Sequence, residues 1–230
     1  MIKRNTILVA LAFCLTATAS QANDIFNYTL LEGEVVRDDS GETGLAWDGH
    51  GWIGGDVNKF SWETEGEFDG HVIEEAEVQV FYQRMISDFW DMKAGLRQNI
   101  EPDPLSYAAI GITGLAPYWF EVEAMAYLSE NGDVSTRIDL EYELLFTRRL
   151  IGSPYIEIEA YANDVPELGM GSGLATTEVG FQLRYQITRK LAPYVDITYE
   201  RAYGSTADMA RAAGEDDAST TLRLGLRVIF

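Results

Sequence analysis

Apolar and polar residues alternate with a period of two along almost the whole chain. The last ten residues show it most cleanly. Leu222, Leu224, Leu226, Val228 and Phe230 share one face, and Thr221, Arg223, Gly225 and Arg227 share the other. The same pattern runs through 134–146, where Val134, Ile138, Leu140 and Leu144 oppose Arg137, Asp139, Glu141 and Glu143, and through 176–187. A period of two marks a strand with one apolar and one polar face. Reading the chain this way predicts twelve strands, near 26–37, 43–54, 59–69, 73–85, 88–98, 106–115, 118–128, 133–146, 150–162, 174–187, 190–203 and 217–230. The first is the least regular, because Leu30-Leu31 interrupts its alternation, and ten strands is the alternative.

The connections sharpen the picture. Every second one is tight, near Asp56-Val57-Asn58, Ser87-Asp88, Ala116-Pro117, Thr147-Arg148-Arg149 and Thr188-Arg189. The intervening ones include Asn99–Leu105, Asn163–Gly173 and Gly204–Asp216, which are longer and polar. Short turns at one end and longer loops at the other belong to outer-membrane barrels, as do tilted strands of about ten residues with aromatic girdles. Trp47, Trp62, Trp90, Tyr118, Phe146, Tyr185 and Tyr199 fall near strand ends. A soluble β-sandwich also alternates, but its strands are shorter, about five or six residues. The expected fold is therefore all-β: an antiparallel transmembrane outer-membrane β-barrel over 23–230. Ending on an outward Phe230 fits recognition by the outer-membrane barrel assembly machinery.

The N-terminus has another character. Lys3 and Arg4 precede an apolar run from Ile7 to Leu15, and Ser20-Gln21-Ala22 follows. This predicts a signal peptide over 1–22, cleaved after Ala22. Cleavage removes Cys14, the single cysteine, so no disulfide framework or multi-cysteine metal site is expected.

Charge then decides what the barrel encloses. The chain has 17 Lys+Arg against 37 Asp+Glu, a formal net charge of −20, yet 47% of its residues are hydrophobic. So much apolar and aromatic material excludes an acidic disordered chain, and so negative a charge opposes nucleic-acid binding. A charge facing lipid at mid-bilayer costs about 2–4 kcal/mol for Lys or Arg, so the polar phase belongs inside. That phase holds nineteen acids: Glu32, Glu34, Asp48, Glu63, Glu65, Glu67, Glu75, Glu77, Asp91, Glu121, Glu123, Asp139, Glu141, Glu143, Glu157, Glu159, Glu178, Asp196 and Glu200. It holds seven bases: Lys59, Lys93, Arg97, Arg137, Arg184, Arg223 and Arg227. Some of these form a salt-bridged filling, but the excess of carboxylates must take up protons or recruit cations.

Carboxylates suit hard cations, whereas imidazole and thioether favour copper. His50 lies in the inward phase between Asp48 and Trp52, and Met125 lies inward beside Glu121 and Glu123. His71 falls at an external turn, and Met170 and Met209 fall in the two longest external loops. No metal-finger or paired-histidine spacing is present, and Met alone is a common gap filler. Neither a Gly-x-Ser-x-Gly element nor a recognisable Ser-His pairing is present, so no enzyme is expected.

Several stretches together resemble the copper resistance protein B family of outer-membrane proteins. They are Trp47-Asp48-Gly49-His50-Gly51-Trp52-Ile53-Gly54-Gly55-Asp56 with Glu63-Thr64-Glu65-Gly66-Glu67, Trp90-Asp91-Met92-Lys93-Ala94-Gly95-Leu96-Arg97 and Gly111-Ile112-Thr113-Gly114-Leu115-Ala116-Pro117-Tyr118. Leu183-Arg184-Tyr185, Ala192-Pro193-Tyr194, Tyr203-Gly204-Ser205-Thr206-Ala207-Asp208 and Gly225-Leu226-Arg227 continue the match. The resemblance spans about residue 28 to the end. It implies copper binding and copper resistance at the outer membrane of a Gram-negative bacterium, with a periplasmic multicopper oxidase as a partner. One departure stands out: family members often carry a Met/His-rich extension before the barrel, whereas the first strand here begins a few residues after Ala22. The expected copper contacts are Asp48, His50, Glu63, Glu65, Glu67, Glu121, Glu123 and Met125, with the carboxylates attracting the ion and His50 and Met125 coordinating it. The alternative is a passive cation-preferring pore or structural barrel without metal specificity.

Overall fold

The computed structural model describes residues 25–230 apart from Ser40, Glu42, His71 and Asp103. The signal-peptide segment with Cys14, and the turn histidine His71, lie outside the described residues. The strands are β1 (Phe26–Arg37), β2 (Thr43–Gly54), β3 (Asn58–Asp69), β4 (Val72–Ser87), β5 (Trp90–Glu101), β6 (Leu105–Ala116), β7 (Phe120–Ser129), β8 (Val134–Tyr142), β9 (Leu144–Leu145), β10 (Leu150–Tyr161), β11 (Gly173–Tyr185), β12 (Leu191–Ala202) and β13 (Ala218–Ile229). One helix, α1 (Gly204–Ala213), precedes β13.

Each strand pairs antiparallel with its sequence neighbours, and β13 returns to pair with β1, closing the sheet. β8 and β9 form one stave. Glu141 lies opposite Tyr155 and Leu144 opposite Gly152, so the register continues across the gap at Glu143. Pro154 in the facing stretch brings no N–H to that ladder, which accounts for the interruption. The barrel therefore has twelve staves, and closure leaves no unpaired edge in the bilayer. At the seam Glu32 faces Arg227 in register, and the Arg227 Nε donates to Glu32 at 2.6 Å.

Alternation places the two faces as expected. Outward side chains such as Val80, Leu96, Ile110, Leu128, Val179, Ile197 and Leu224 are 50–63% exposed, an apolar belt that in a protein of this kind meets lipid tails. The irregular Leu30-Leu31 pair is alternation after all. Leu30 is buried inside, Leu31 faces outward, and Val36 is a second apolar residue on the inner face of β1.

The start of β1 and the end of β13 lie at the end with the short turns, which is periplasmic by the rule for such barrels. Loop lengths at the opposite end depart from expectation. β5 runs to Glu101, so the connection read as 99–105 shrinks to three residues. Only 162–172 and 203–217 are long, and the second contains α1, read in the sequence as plain loop. Its Ala-rich run Ser205–Ala213 favours helix, and Gly214, with φ of 90°, takes the left-handed cap that ends it.

The interior is not uniformly polar. Phe81, Leu105, Tyr107, Ala109, Met125 and Tyr127, from β4 to β7, pack into a buried apolar layer on one side of the lumen. Acidic residues line the lumen around it, including Glu77 on β4 and Glu123 on β7 of the same staves.

Candidate functional site: an acidic lumen

Cross-strand register assembles the inward carboxylates into rows. Glu32, Asp48, Glu65 and Glu77 lie side by side on β1, β2, β3 and β4. Glu123, Asp139, Glu157, Glu178 and Glu200 form a second row across β7, β8, β10, β11 and β12. Like charges directly opposite one another on a sheet are destabilising, so such rows call for bound protons or for cations that answer them.

The barrel's own bases supply part of that answer. Lys59 Nζ donates to Asp91 at 3.0 Å near the turn end. Lys93, only 2% exposed, bridges Glu63 and Glu123 and lies 4.3 Å from the centre of the Phe81 ring. Arg97 pairs with Glu77, and Arg184 with Glu143. Arg223 lies 3.8 Å from Glu34. The central group is Arg137, whose guanidinium meets Glu159 at 2.8 Å, Glu65 at 3.2 Å, Glu157 at 3.5 Å and Glu77 at 3.8 Å. Neutral donors fill in: Gln79 Nε2 donates to Glu77 at 2.7 Å, Tyr194 to Glu34 at 2.5 Å, and Tyr155 to Asp196 at 3.1 Å. Seven basic side chains still face nineteen carboxyl groups.

Two of the cavities along the lumen hold expected copper contacts. One, of about 530 Å³, opens toward the loop end and is lined by Glu32, Glu34, Asp48, Glu65, Glu67, Glu75 and the inner faces of β10 to β13. The other, of about 490 Å³, lies toward the turn end and is lined by Asp48, His50, Trp52, Glu63, Glu65, Glu121, Glu123 and Asp139. Arg137 borders both.

Among the eight residues expected to contact copper, the structure brings six together and sets two apart. Asp48, His50, Glu63, Glu65, Glu121 and Glu123 share the turn-end cavity, and Glu67 lines the loop-end one. His50 faces Glu63 across the β2–β3 ladder, its Nδ1 lies 3.8 Å from Asp48 Oδ1, and its ring sits 5.9 Å from Tyr28. Met125 points inward too, but it is 3% exposed within the apolar layer, and its sulfur covers Gly111. It is not part of the wall of the His50 cavity. Among the described residues no three His, Cys, Asp or Glu side chains converge as a ready ligand cage. The arrangement places several carboxyl groups near one imidazole without a preformed shell among the described residues. Sequence reasoning listed Arg137 as one base among seven and missed its central position, which depends on a long-range register that no local pattern carries.

The family model described as copper resistance protein B precursor matches residues 26–230. A copper resistance protein B homolog of Pseudomonas syringae pv. tomato is 42% identical over 212 residues, covering 92% of this chain and 71% of that protein. Copper resistance protein B of Escherichia coli is 37% identical over 206 residues, covering 89% of this chain and 70% of that protein. Among solved structures, the NanC porin superposes with a TM-score of 0.61 at 14% identity, over 86% of this chain and 98% of that one. The KdgM porin gives 0.56 at 10% identity over the same shares. At those identities the porins speak for the barrel fold alone.

Proposed function

The chain belongs to the copper resistance protein B family, and from that premise we propose that this outer-membrane barrel holds copper ions in its acidic lumen and so contributes to copper resistance. The observation that carries the reading is the pair of in-register carboxylate rows, which the barrel's own bases leave under-neutralised. A low-dielectric wall around such rows focuses a negative potential and raises the local cation concentration.

The donor set fits cupric ions better than cuprous ones: carboxylates with one imidazole suit the harder oxidation state. His50 is the nitrogen ligand, Asp48 and Glu63 are its nearest oxygen donors, and Glu65, Glu67, Glu121 and Glu123 gather the ion. Met125 serves as packing. The barrel acts without catalysis, as a place that ions enter and leave. Its turn end is the face that a periplasmic multicopper oxidase would meet.

Calorimetric titration of the refolded barrel with Cu(II) tests this. Wild type and Met125→Leu bind with equal affinity, and His50→Ala binds at least tenfold more weakly. Equal binding by His50→Ala removes the ligand assignment, and absence of binding by wild type removes the site. The lack of a convergent ligand cage keeps a second reading in play, a cation-preferring pore without metal specificity. Planar-bilayer recording separates the two, since a general pore carries cation current whether or not copper is present.

A further inference from the structure

The methionines of the barrel fall into three environments. Met85 and Met92 are 38% exposed at the turn end, on opposite faces of the barrel wall, and Met125 is a buried gap filler. Met170 and Met209 are different. They belong to the two long loop-end connections, and both line one open cavity of about 700 Å³ above the lumen.

Their meeting is built in. The Gly171 N–H donates to Thr206 Oγ1 at 2.9 Å in a buried bond, which fastens the residue next to Met170 onto the first turn of α1. A Cβ at Gly171 would come within 2.4 Å of Ser205 Oγ, so only glycine permits this approach. Asp164 adds a second tie, accepting from the Ser172 N–H at 2.7 Å and from Ser205 Oγ at 3.2 Å. Met209 lies three residues after Thr206 and therefore on the same side of α1. The staple that places Met170 thus places Met209 as well.

Charge and continuity favour a cation there. Glu200, the last member of the second carboxylate row, lines this vestibule and also the loop-end lumen cavity, and so does Met170. The nearby cation, Arg211, is held by Asp208 at 3.0 Å and Asp217 at 3.2 Å, so its charge is already answered. Thioethers select soft cations, copper(I) above all, while the lumen below them is built of hard oxygen donors.

We propose that Met170 and Met209 form, at the mouth of the barrel, a site for a soft monovalent cation of the cuprous class, with Glu200 supplying the compensating negative charge. The proposal rests on the copper reading only for the choice of element, and the cuprous mouth and the cupric lumen are separate sites for separate oxidation states. The ion enters and leaves without change of oxidation state.

Silver(I), a redox-inert soft cation, is the probe. The refolded barrel is titrated calorimetrically with silver nitrate in chloride-free buffer, beside Met170→Leu, Met209→Leu and the double variant. Leu keeps the volume of Met and removes the sulfur, and the single variants guard against a misfolded double. Silver affinity falls tenfold or more in the double variant, and the sulfur neighbours of silver disappear from its X-ray absorption spectrum. A loss smaller than tenfold, or a wild-type spectrum with only oxygen and nitrogen neighbours, overturns the site. Cu(II) titration of the same samples keeps the two readings apart. It stays unchanged in the Leu variants, and its absence from wild type would remove the lumen reading while leaving the silver result to stand or fall alone.

Discussion

Arg137 on β8 donates from Nη1 to Glu65 on β3 at 3.2 Å, joining residues 72 positions apart across the lumen. The same guanidinium meets Glu157 and Glu159 on β10 and Glu77 on β4, so one cation ties together four carboxylates from three other staves. It also borders both the loop-end and the turn-end cavities. Arg137 is therefore the crossbar of the lumen as well as its main internal counter-ion.

Replacing it has two separable consequences. Arg137→Gln removes the crossbar, so single-channel conductance in planar bilayers rises above that of the parent. It also leaves the buried carboxylate of Glu159 without its ion pair, which costs on the order of 3 kcal/mol and lowers the urea midpoint. An unchanged conductance would show that the lumen is blocked elsewhere, with the apolar layer around Phe81 and Tyr127 the next place to look.

A second set of contacts concerns wall geometry. The Tyr194 ring lies over Gly225 on the adjacent strand, where a Cβ would come within 2.2 Å of the ring, and Tyr194 donates to Glu34 at 2.5 Å. Gly225→Ala pushes the ring away and breaks that bond near the β1–β13 seam. The expected cost is about 1–3 kcal/mol, read as a lower urea midpoint, whereas Gly33→Ala, with open space at its Cβ, leaves the midpoint in place.

The strands were legible because each stave repeats a two-residue pattern that must hold in lipid. The break at Glu143 and the phase of Leu30 were not, since the first depends on Pro154 across the ladder and the second on a neighbour that looks alike. The acid of the lumen was legible residue by residue, as was the inward direction of His50. The carboxylate rows were not, because they need the register between strands as well as the alternation within one. Met125 shows the limit most plainly. Its phase was read correctly, yet packing against Gly111 and Tyr127 decides its role, and phase alone carries no packing. Helix α1 could have been found from its alanines and the closing Gly214.

Loop-end order depends on acid. Asp164 lies outside the membrane-spanning strands, and the Ser172 N–H, the Ser172 side chain and the Ser205 hydroxyl hold its carboxyl below the usual aspartate value. With the folded pKa below the unfolded one, its contribution is complete above about pH 4 and fades as pH falls through the folded value. The amide resonances of Gly171 and Ser172 should move together below that pH. Asp164→Ala should show the acid-like shifts already at pH 6, and a variant indistinguishable from wild type at both pH values would exclude Asp164 as the tie.

Lys93 offers the most direct test of whether the lumen answers to metal. Its ammonium is sealed between Glu63 and Glu123 and against the Phe81 ring. Lys93→Met keeps the bulk and the ring contact but leaves two carboxylates facing each other without a cation. Alone, the variant is less stable, since breaking a buried pair from one side typically costs about 3–5 kcal/mol. A cation that enters the lumen should then replace the lost ammonium. Added Cu(II) raises the unfolding temperature of Lys93→Met more than that of wild type, because ligand binding to the folded state alone stabilises by mass action. Lys59→Met is the control, since its partner Asp91 also accepts from Gln83 at 2.7 Å and so keeps a donor. If Cu(II) shifts Lys93→Met no more than wild type, the Glu63–Glu123 end of the lumen does not take up the ion, and the His50 assignment beside it loses its support.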